Sequence, residues 1–209
     1  MKVNCIPTIV LKSCADVFAQ LIARLAVLCF DEGVFPTRFK VASVIPIPLL
    51  KKQCLDGENV ANYRPISNLH TISKLVERLF LSRVIDHVEQ APCFNRFQSA
   101  YRCNHSTETA LLRMLNDAYC SADNKSRTLL VQLDLTVVFD TIGHSTLLRR
   151  LECTFGLSDS VIRFIQSYIS GRSQYFRVGQ KQSTSVLCEY GVPQGSVLGL
   201  SMSRLLLVS

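Results

Sequence analysis

The sequence predicts a mixed α+β fold, and two observations predict it. Apolar residues recur at helical spacing in several long stretches, and short β-branched runs bounded by turn residues lie between them. Neither type forms a separate block, and no internal repeat or low-complexity tract interrupts the order.

From Ser13 to Phe30 the residues Val17, Leu21, Leu25 and Leu28 fall on one helical face, with Ser13 placed to cap the start and Gly33 to close the end. VASVIPIP, from Val41 to Pro48, is β-branched but broken by prolines, which assigns it to an edge strand or extended arm. The chain returns through YRPIS, so the two extended pieces pair as a long hairpin with Lys51 and Lys52 near its tip. Ile72, Leu75, Val76, Leu79, Phe80 and Val84 mark a second helix that ends before Pro92. A third follows Ser106, with Leu111, Leu112, Leu115 and Ala118 on one face. TLLVQLDL, from Thr128 to Leu135, then reads as a buried strand that delivers Asp134 to its C-terminal end. Two helical patterns come next, around Ser145 to Leu151 and from Asp159 to Ser170, the second stopping at Gly171. SQYFRVG and STSVLCEYG form a hairpin that leads into GVPQGS.

Composition sets outer bounds. The 209 residues fit one large or two small domains, and 48% hydrophobic content is enough for a core. The net charge of +7 favours a polyanionic partner such as nucleic acid, a balance that ordinary basic enzymes share. Nine cysteines are odd in number, spread from Cys5 to Cys188 and never in CxxC spacing, so they read as reduced intracellular core residues. The four histidines form no ligand pairs with them at zinc-binding intervals. Leu21 to Phe30 is too short to span a bilayer and the N-terminus lacks a signal pattern, so the chain reads as soluble, without a membrane partner.

Several short motifs carry chemistry. In LDLTVVFD, Asp134 ends a buried strand, where a carboxylate needs a hydrogen bond, a counter-charge or a cation; capping the next helix is the alternative. In GVPQGS, Gly191, Pro193 and Gly195 shape a tight turn from which Gln194 offers donor and acceptor to a ligand; a strand-to-helix turn capped by Ser196 is the plainer reading. In NYRPISNL, Arg64 is either a ligand-facing cation or a solvated residue beside a structural proline. YRCNHSTETAL is at the least a helix start, with Ser106 capping and Glu108 favoured by the N-terminal dipole.

Taken in order, NYRPISNLHTISKLVER, FQSAYRCNHSTETAL, LVQLDLTVVFDTIGHSTLLRRL, SYISGRSQYFRVG and GVPQGSVLG closely resemble the reverse transcriptase domain of non-long-terminal-repeat retrotransposons, the jockey-like group in particular. The resemblance runs from about Phe35 to Gly199. It implies the fingers and part of the palm of a right-hand polymerase: a lead-in over 1–34, fingers over 35–127, partial palm over 128–199 and a divergent tail over 200–209. It also implies RNA-directed DNA synthesis on an RNA template and DNA primer, with deoxynucleotide triphosphates as substrates and divalent cations, Mg2+ in the family, as cofactors. Such chemistry places two cations about 4 Å apart to stabilise attacking and leaving oxygens.

By the same resemblance Asp134 is a metal-binding aspartate with the Leu135 carbonyl beside it, and Phe139 is the bulky residue that excludes a ribose 2′ hydroxyl. Gln194 and Gly195 match the loop beneath the incoming nucleotide and template base. Arg64 and Lys51 or Lys52 resemble the cations that grip the triphosphate, and Arg102 is a further candidate of that kind.

The departures from the family pattern are specific. The sequence contains no Asp-Asp pair for the family's second carboxylate motif, Leu200 stands where a proline is customary, and Val138 replaces a small alanine before Phe139. Part of the palm sheet and the thumb are expected to be missing, so the chain taken alone is expected not to polymerise. A non-catalytic remnant that binds RNA or an RNA-DNA hybrid is the alternative.

Overall fold

The computed structural model describes residues 6–48, 59, 62–132 and 141–206. Helices α1 (Thr8–Ser13) and α2 (Ala15–Glu32) precede a single 3-10 turn at Thr37–Phe39. Strands β1 (Val41–Pro48) and β2 (Tyr63–Asn68) then lead to α3 (Thr71–Gln90), α4 (Thr107–Asp123), α5 (His144–Cys153) and α6 (Asp159–Ile169). The chain continues through β3 (Arg172–Val178), β4 (Lys181–Gln182) and β5 (Val186–Cys188) into α7 (Val197–Leu206). The fold is mixed α+β, as the element order predicts.

The sheet is built on β1. Its antiparallel partner β2 runs in register from Ser43 opposite Asn68 to Pro48 opposite Tyr63. On its other side β3 pairs in parallel, from Val41 opposite Ser173 to Val44 opposite Phe176. The expected hairpin is therefore present, but β1 is no edge strand. Its prolines explain how both hold. Pro46 faces Pro65, where neither residue donates a ladder bond, and both Pro46 and Pro48 lie beyond the last residue paired with β3. The proline-free half of the strand is central and the proline half is left with one neighbour.

The second expected hairpin also forms. Gly179, at φ 59, opens the two-residue turn between Val178 and Lys181. The return strand then slips by one residue between the pairs Arg177 with Gln182 and Gln174 with Val186, a bulge held by Ser183, whose N–H reaches the Phe176 carbonyl at 3.0 Å.

A helical layer packs around clustered aromatic rings. Phe80 stacks on Phe164 with centroids 4.3 Å apart, and Phe30 meets both edge-on at 5.5 and 5.2 Å. Phe35 extends the cluster to Tyr168 at 5.0 Å. Gly33 closes α2 in the left-handed region, and a Cβ there would lie 2.7 Å from that of Arg163, so glycine serves both the cap and the approach of α6.

The structure corrects four further expectations. On α2 Ala26, Cys29 and Phe30 are buried and Phe18, Ile22 and Leu25 half-buried, whereas Val17, Leu21 and Leu28 are exposed. Ser13 ends α1 and does not cap α2, whose first turn has no side-chain cap. Residues 128–132 of the expected strand join no ladder with a described strand, and Leu129 is 87% exposed; residues 133–135, the rest of that run, lie outside the described residues. Finally, among the seven described cysteines only Cys29 is buried; Cys14, Cys103, Cys120 and Cys153 are exposed, because they fall on the solvent side of helices or in turns. Ser106 behaves as expected, capping α4 through a reciprocal pair of bonds with Thr109.

Candidate functional site

The segment Gly191–Ser196 is fastened at both ends and in the middle. At its entry the Gly191 N–H donates to the Ile142 carbonyl at 2.8 Å, and His144 Nε2 donates to the Gly191 carbonyl at 2.8 Å. In the middle, Ser67 N–H donates to the Gln194 carbonyl at 2.8 Å. Ser67 faces Val44 across β1 and β2, two residues from the proline pair, so its N–H points outward from the ladder and is free to take the loop as a further partner. Gly195, at φ 109, permits this contact: a Cβ there would sit 2.9 Å from the Ser67 carbonyl oxygen.

At the exit the loop becomes α7. Ser196 Oγ accepts from the Gly199 N–H at 2.9 Å and donates to the Pro193 carbonyl at 2.8 Å, so the turn-and-cap reading of this serine is correct. A Cβ on Gly199 would collide with that same Oγ.

A buried acid completes the exit. Glu77 of α3 is fully buried, and its Oε2 accepts from the N–H groups of Val197 and Leu198 at 2.8 and 3.2 Å and from the Tyr168 hydroxyl at 3.3 Å. Its Oε1 accepts from Ser73 Oγ at 2.8 Å. A buried carboxyl group is tolerated when its lone pairs are filled in this way, and a helix N-terminus adds favourable dipole charge. Burial, then the Glu77 charge, pushes the Tyr168 hydroxyl well above the usual phenol range, so it stays a donor.

The loop forms one wall of a groove of ≈ 320 Å³. Ala42, Val44, Ser67 and Gln174 line it from one face of the sheet, since alternate residues on paired strands share a face. Gln194 and Pro193 line it from the loop. Of the expected site residues, Gln194 and Gly195 are thus placed together. Arg64 is exposed on β2 opposite Ile47, in the alternate set that points to the other face from Pro65 and Ser67. Arg102 lies elsewhere, held by Glu89 at 3.8 Å, by the Arg96 carbonyl and over the Phe94 ring. Lys51, Lys52, Asp134, Leu135 and Phe139 lie outside the described residues. Among the described residues no three His, Cys, Asp or Glu side chains converge on a cation site, so no step through a metal is derived from the geometry.

Sequence reasoning missed Glu77, His144 and Arg172. Glu77 left a signal, an acidic residue on the same helical face as Ser73, Phe80 and Val84. The other two left none, because their partners are backbone carbonyls.

A glycine-shaped loop pinned between an extended two-stranded arm and a helix N-terminus thus borders an open groove in a basic chain. Comparisons with known proteins supply the family. The family model described as reverse transcriptase (RNA-dependent DNA polymerase) matches residues 49–208, and the chain belongs to that family. It is 32% identical over 184 residues to the RNA-directed DNA polymerase from mobile element jockey of Drosophila melanogaster, covering 88% of this chain and 20% of that protein. The jockey polymerase of Drosophila funebris is 35% identical over 167 residues, with 80% and 18% covered. The probable RNA-directed DNA polymerase from transposon X-element of Drosophila melanogaster is 32% identical over 165 residues, with 79% and 18% covered. The chain spans about a fifth of the length of these relatives. Among the described residues no helix is long and apolar enough to cross a membrane.

Proposed function

We propose that this chain supplies the fingers, over 35–127, and part of the palm, over 128–199, of a mobile element's RNA-directed DNA polymerase. The observation that supports this most directly is the Gln194 loop. It lies within the segment matched by the family, and tethers to Ile142, Ser67 and Glu77 hold it at the wall of an open groove. A loop so held presents backbone and amide groups to a nucleotide without first paying to order them.

The remaining roles rest on sequence. Asp134 and the Leu135 carbonyl are assigned to a divalent cation, Mg2+ in the family, and Phe139 to the sugar 2′ position. Lys51, Lys52 and Arg64 are assigned to phosphates of the incoming deoxynucleotide, and Arg102 to a lesser contact of that type. The partners are an RNA template and a DNA primer. Two-metal chemistry needs carboxylates beyond Asp134, and the sequence contains no Asp-Asp pair, so these residues alone are expected to bind primer-template without extending it.

The test is fluorescence anisotropy with an RNA template annealed to a DNA primer, beside primer extension in Mg2+. Binding is expected at about 50 mM salt and should weaken steeply as salt rises. Joint reversal of Lys51, Lys52 and Arg64 to Glu should weaken binding of fluorescent dTTP to the complex with primer-template on the order of tenfold or more, and Asp134→Ala should leave primer-template binding unchanged. Absence of primer-template binding to the folded chain, or dTTP binding indifferent to the reversals, overturns the assignment. Extension that Asp134→Ala abolishes overturns the expectation of inactivity while directly demonstrating the activity.

A further inference from the structure

Arg172, the first residue of β3, is 2% exposed yet incompletely paired. Its Nη1 donates to the Tyr168 carbonyl at 2.9 Å, and its guanidinium lies over the Tyr168 ring at 4.8 Å from the centroid. Nε and Nη2 are buried, with no hydrogen-bond partner among the described residues. Among the described residues no carboxylate comes within ion-pair distance of it. A guanidinium carries five N–H donors, and a buried cation with unmet donors is expensive unless an acceptor comes from elsewhere. The same residue borders the groove walled by Gln194.

We propose that Arg172 is the floor of a phosphate-binding site in this groove, one that receives a phosphate group of a nucleic-acid strand. The planar fork of an arginine matches two phosphate oxygens, and Nε and Nη2, the two donors without a partner among the described residues, form that edge. Charge supports an anion. Lys40, joined to β3 through the bond from Ser173 N–H to its carbonyl, has its ammonium pKa lowered by burial and then by the Arg172 charge, so two cations share the region. The aromatic residues of the groove favour a strand over a bare phosphate. Tyr190 and Phe176 both line it and are 67% and 46% exposed, which leaves rings available for bases to stack on.

This inference rests on the polymerase reading, and the experiment separates the two. In the wild-type chain the Arg172 Nε–H resonance, assigned by its loss in Arg172→Lys, is followed during titration with pyrophosphate, dTTP and a short single-stranded RNA. It should shift in saturable fashion, most strongly with RNA if the phosphate comes from a strand and with dTTP if it comes from a nucleotide. Arg172→Lys should weaken RNA binding on the order of tenfold. Because that variant also disturbs the Tyr168 contact, Gln174→Glu provides the control. It places a carboxylate on the same strand face as Arg172, and should leave the melting temperature no lower while reducing RNA affinity by a similar factor. RNA binding that depends on Arg64 but leaves the Arg172 resonance still would overturn this inference and leave the polymerase reading standing. A shift with pyrophosphate in a chain that binds neither RNA nor dTTP would leave a bare anion site at Arg172 and overturn both its assignment to a strand and the polymerase reading. No shift with any of the three means the guanidinium is merely hydrated, and the proposal fails.

Discussion

Glu77 and Val197 are 120 residues apart in sequence, and the carboxyl group of one accepts the backbone N–H of the other at 2.8 Å. With Leu198 N–H on the same oxygen and Gly199 N–H on Ser196 Oγ, three of the donors that a helix leaves open at its N-terminus are filled. The start of α7, and therefore the loop that presents Gln194, is indexed to α3 by a buried polar contact as well as by packing.

Replacing Glu77 should accordingly damage the fold before it damages any surface. Each buried donor left unpaired costs about 1–3 kcal/mol, and Glu77→Ala strands Val197, Leu198 and two hydroxyl groups. Urea unfolding should show a loss of more than about 3 kcal/mol by that reckoning. Glu77→Gln, which keeps an acceptor, should lose less, and amide exchange at Val197 and Leu198 should rise in both. A Glu77→Ala protein as stable as wild type would show that water fills the role.

Gly195 offers a second test, because two constraints act on it. Its φ of 109 is strained for any other residue, and an added Cβ would press on the Ser67 carbonyl at 2.9 Å. Gly179 has a positive φ of 59 but open space around the same position. Gly179→Ala should therefore cost about 1–2 kcal/mol, the ordinary left-handed penalty, while Gly195→Ala should exceed it and also free the Ser67 amide to exchange. Equal losses would mean that the loop moves aside without resistance.

His70 introduces a pH dependence. Its Nδ1 accepts the Ile72 N–H at 3.2 Å and so caps α3, while its ring lies 4.9 Å from that of Phe39. Burial, followed by the charge of Arg38, lowers its pKa from the ordinary imidazole value of 6.5. The folded protein thus binds the proton less readily than the unfolded chain, so the contribution is complete above about 6.5 and is lost as pH falls through the lower folded value. Melting temperature should drop across that interval in the wild type and less steeply in His70→Asn, which caps without titrating. Parallel profiles would exclude His70 as the source.

The fold was legible where its signals are local. Gly33 and the Ser106 cap each announce a boundary through residues a few positions apart, and the SQYFRVG–STSVLCEYG hairpin is legible from its two flanking runs although Lys181 and Gln182 between them are themselves strand. The stripe of α2 was not, because the helix carries two apolar faces, Val17–Leu21–Leu28 and Phe18–Ile22–Leu25–Phe30, and rings from α3 and α6 decide which is covered. The site divides in the same manner. Gln194 and Gly195 stand out by their glycine and proline context, whereas the Val197 N–H that explains Glu77 is backbone and has no residue signature.

The clearest apolar surface lies on α4, where no residue is buried. Leu112 is 65% exposed and Tyr119 69%, with Leu111 and Leu115 also exposed on the helix. Its capping box and the Glu108 carboxyl near its N-terminus, whose pKa is lowered chiefly by a hydrogen bond from Ser106, show that the helix has its own local support. Substitution on this surface should then alter association without altering folding. Leu112→Lys together with Tyr119→Lys should leave unfolding free energy within about 0.5 kcal/mol of wild type, the ordinary range for surface changes, while lowering binding of an apolar dye and concentration-dependent self-association. A large stability loss would instead show that the helix packs on the rest of the chain in solution, burying the apolar face that is open in this structure.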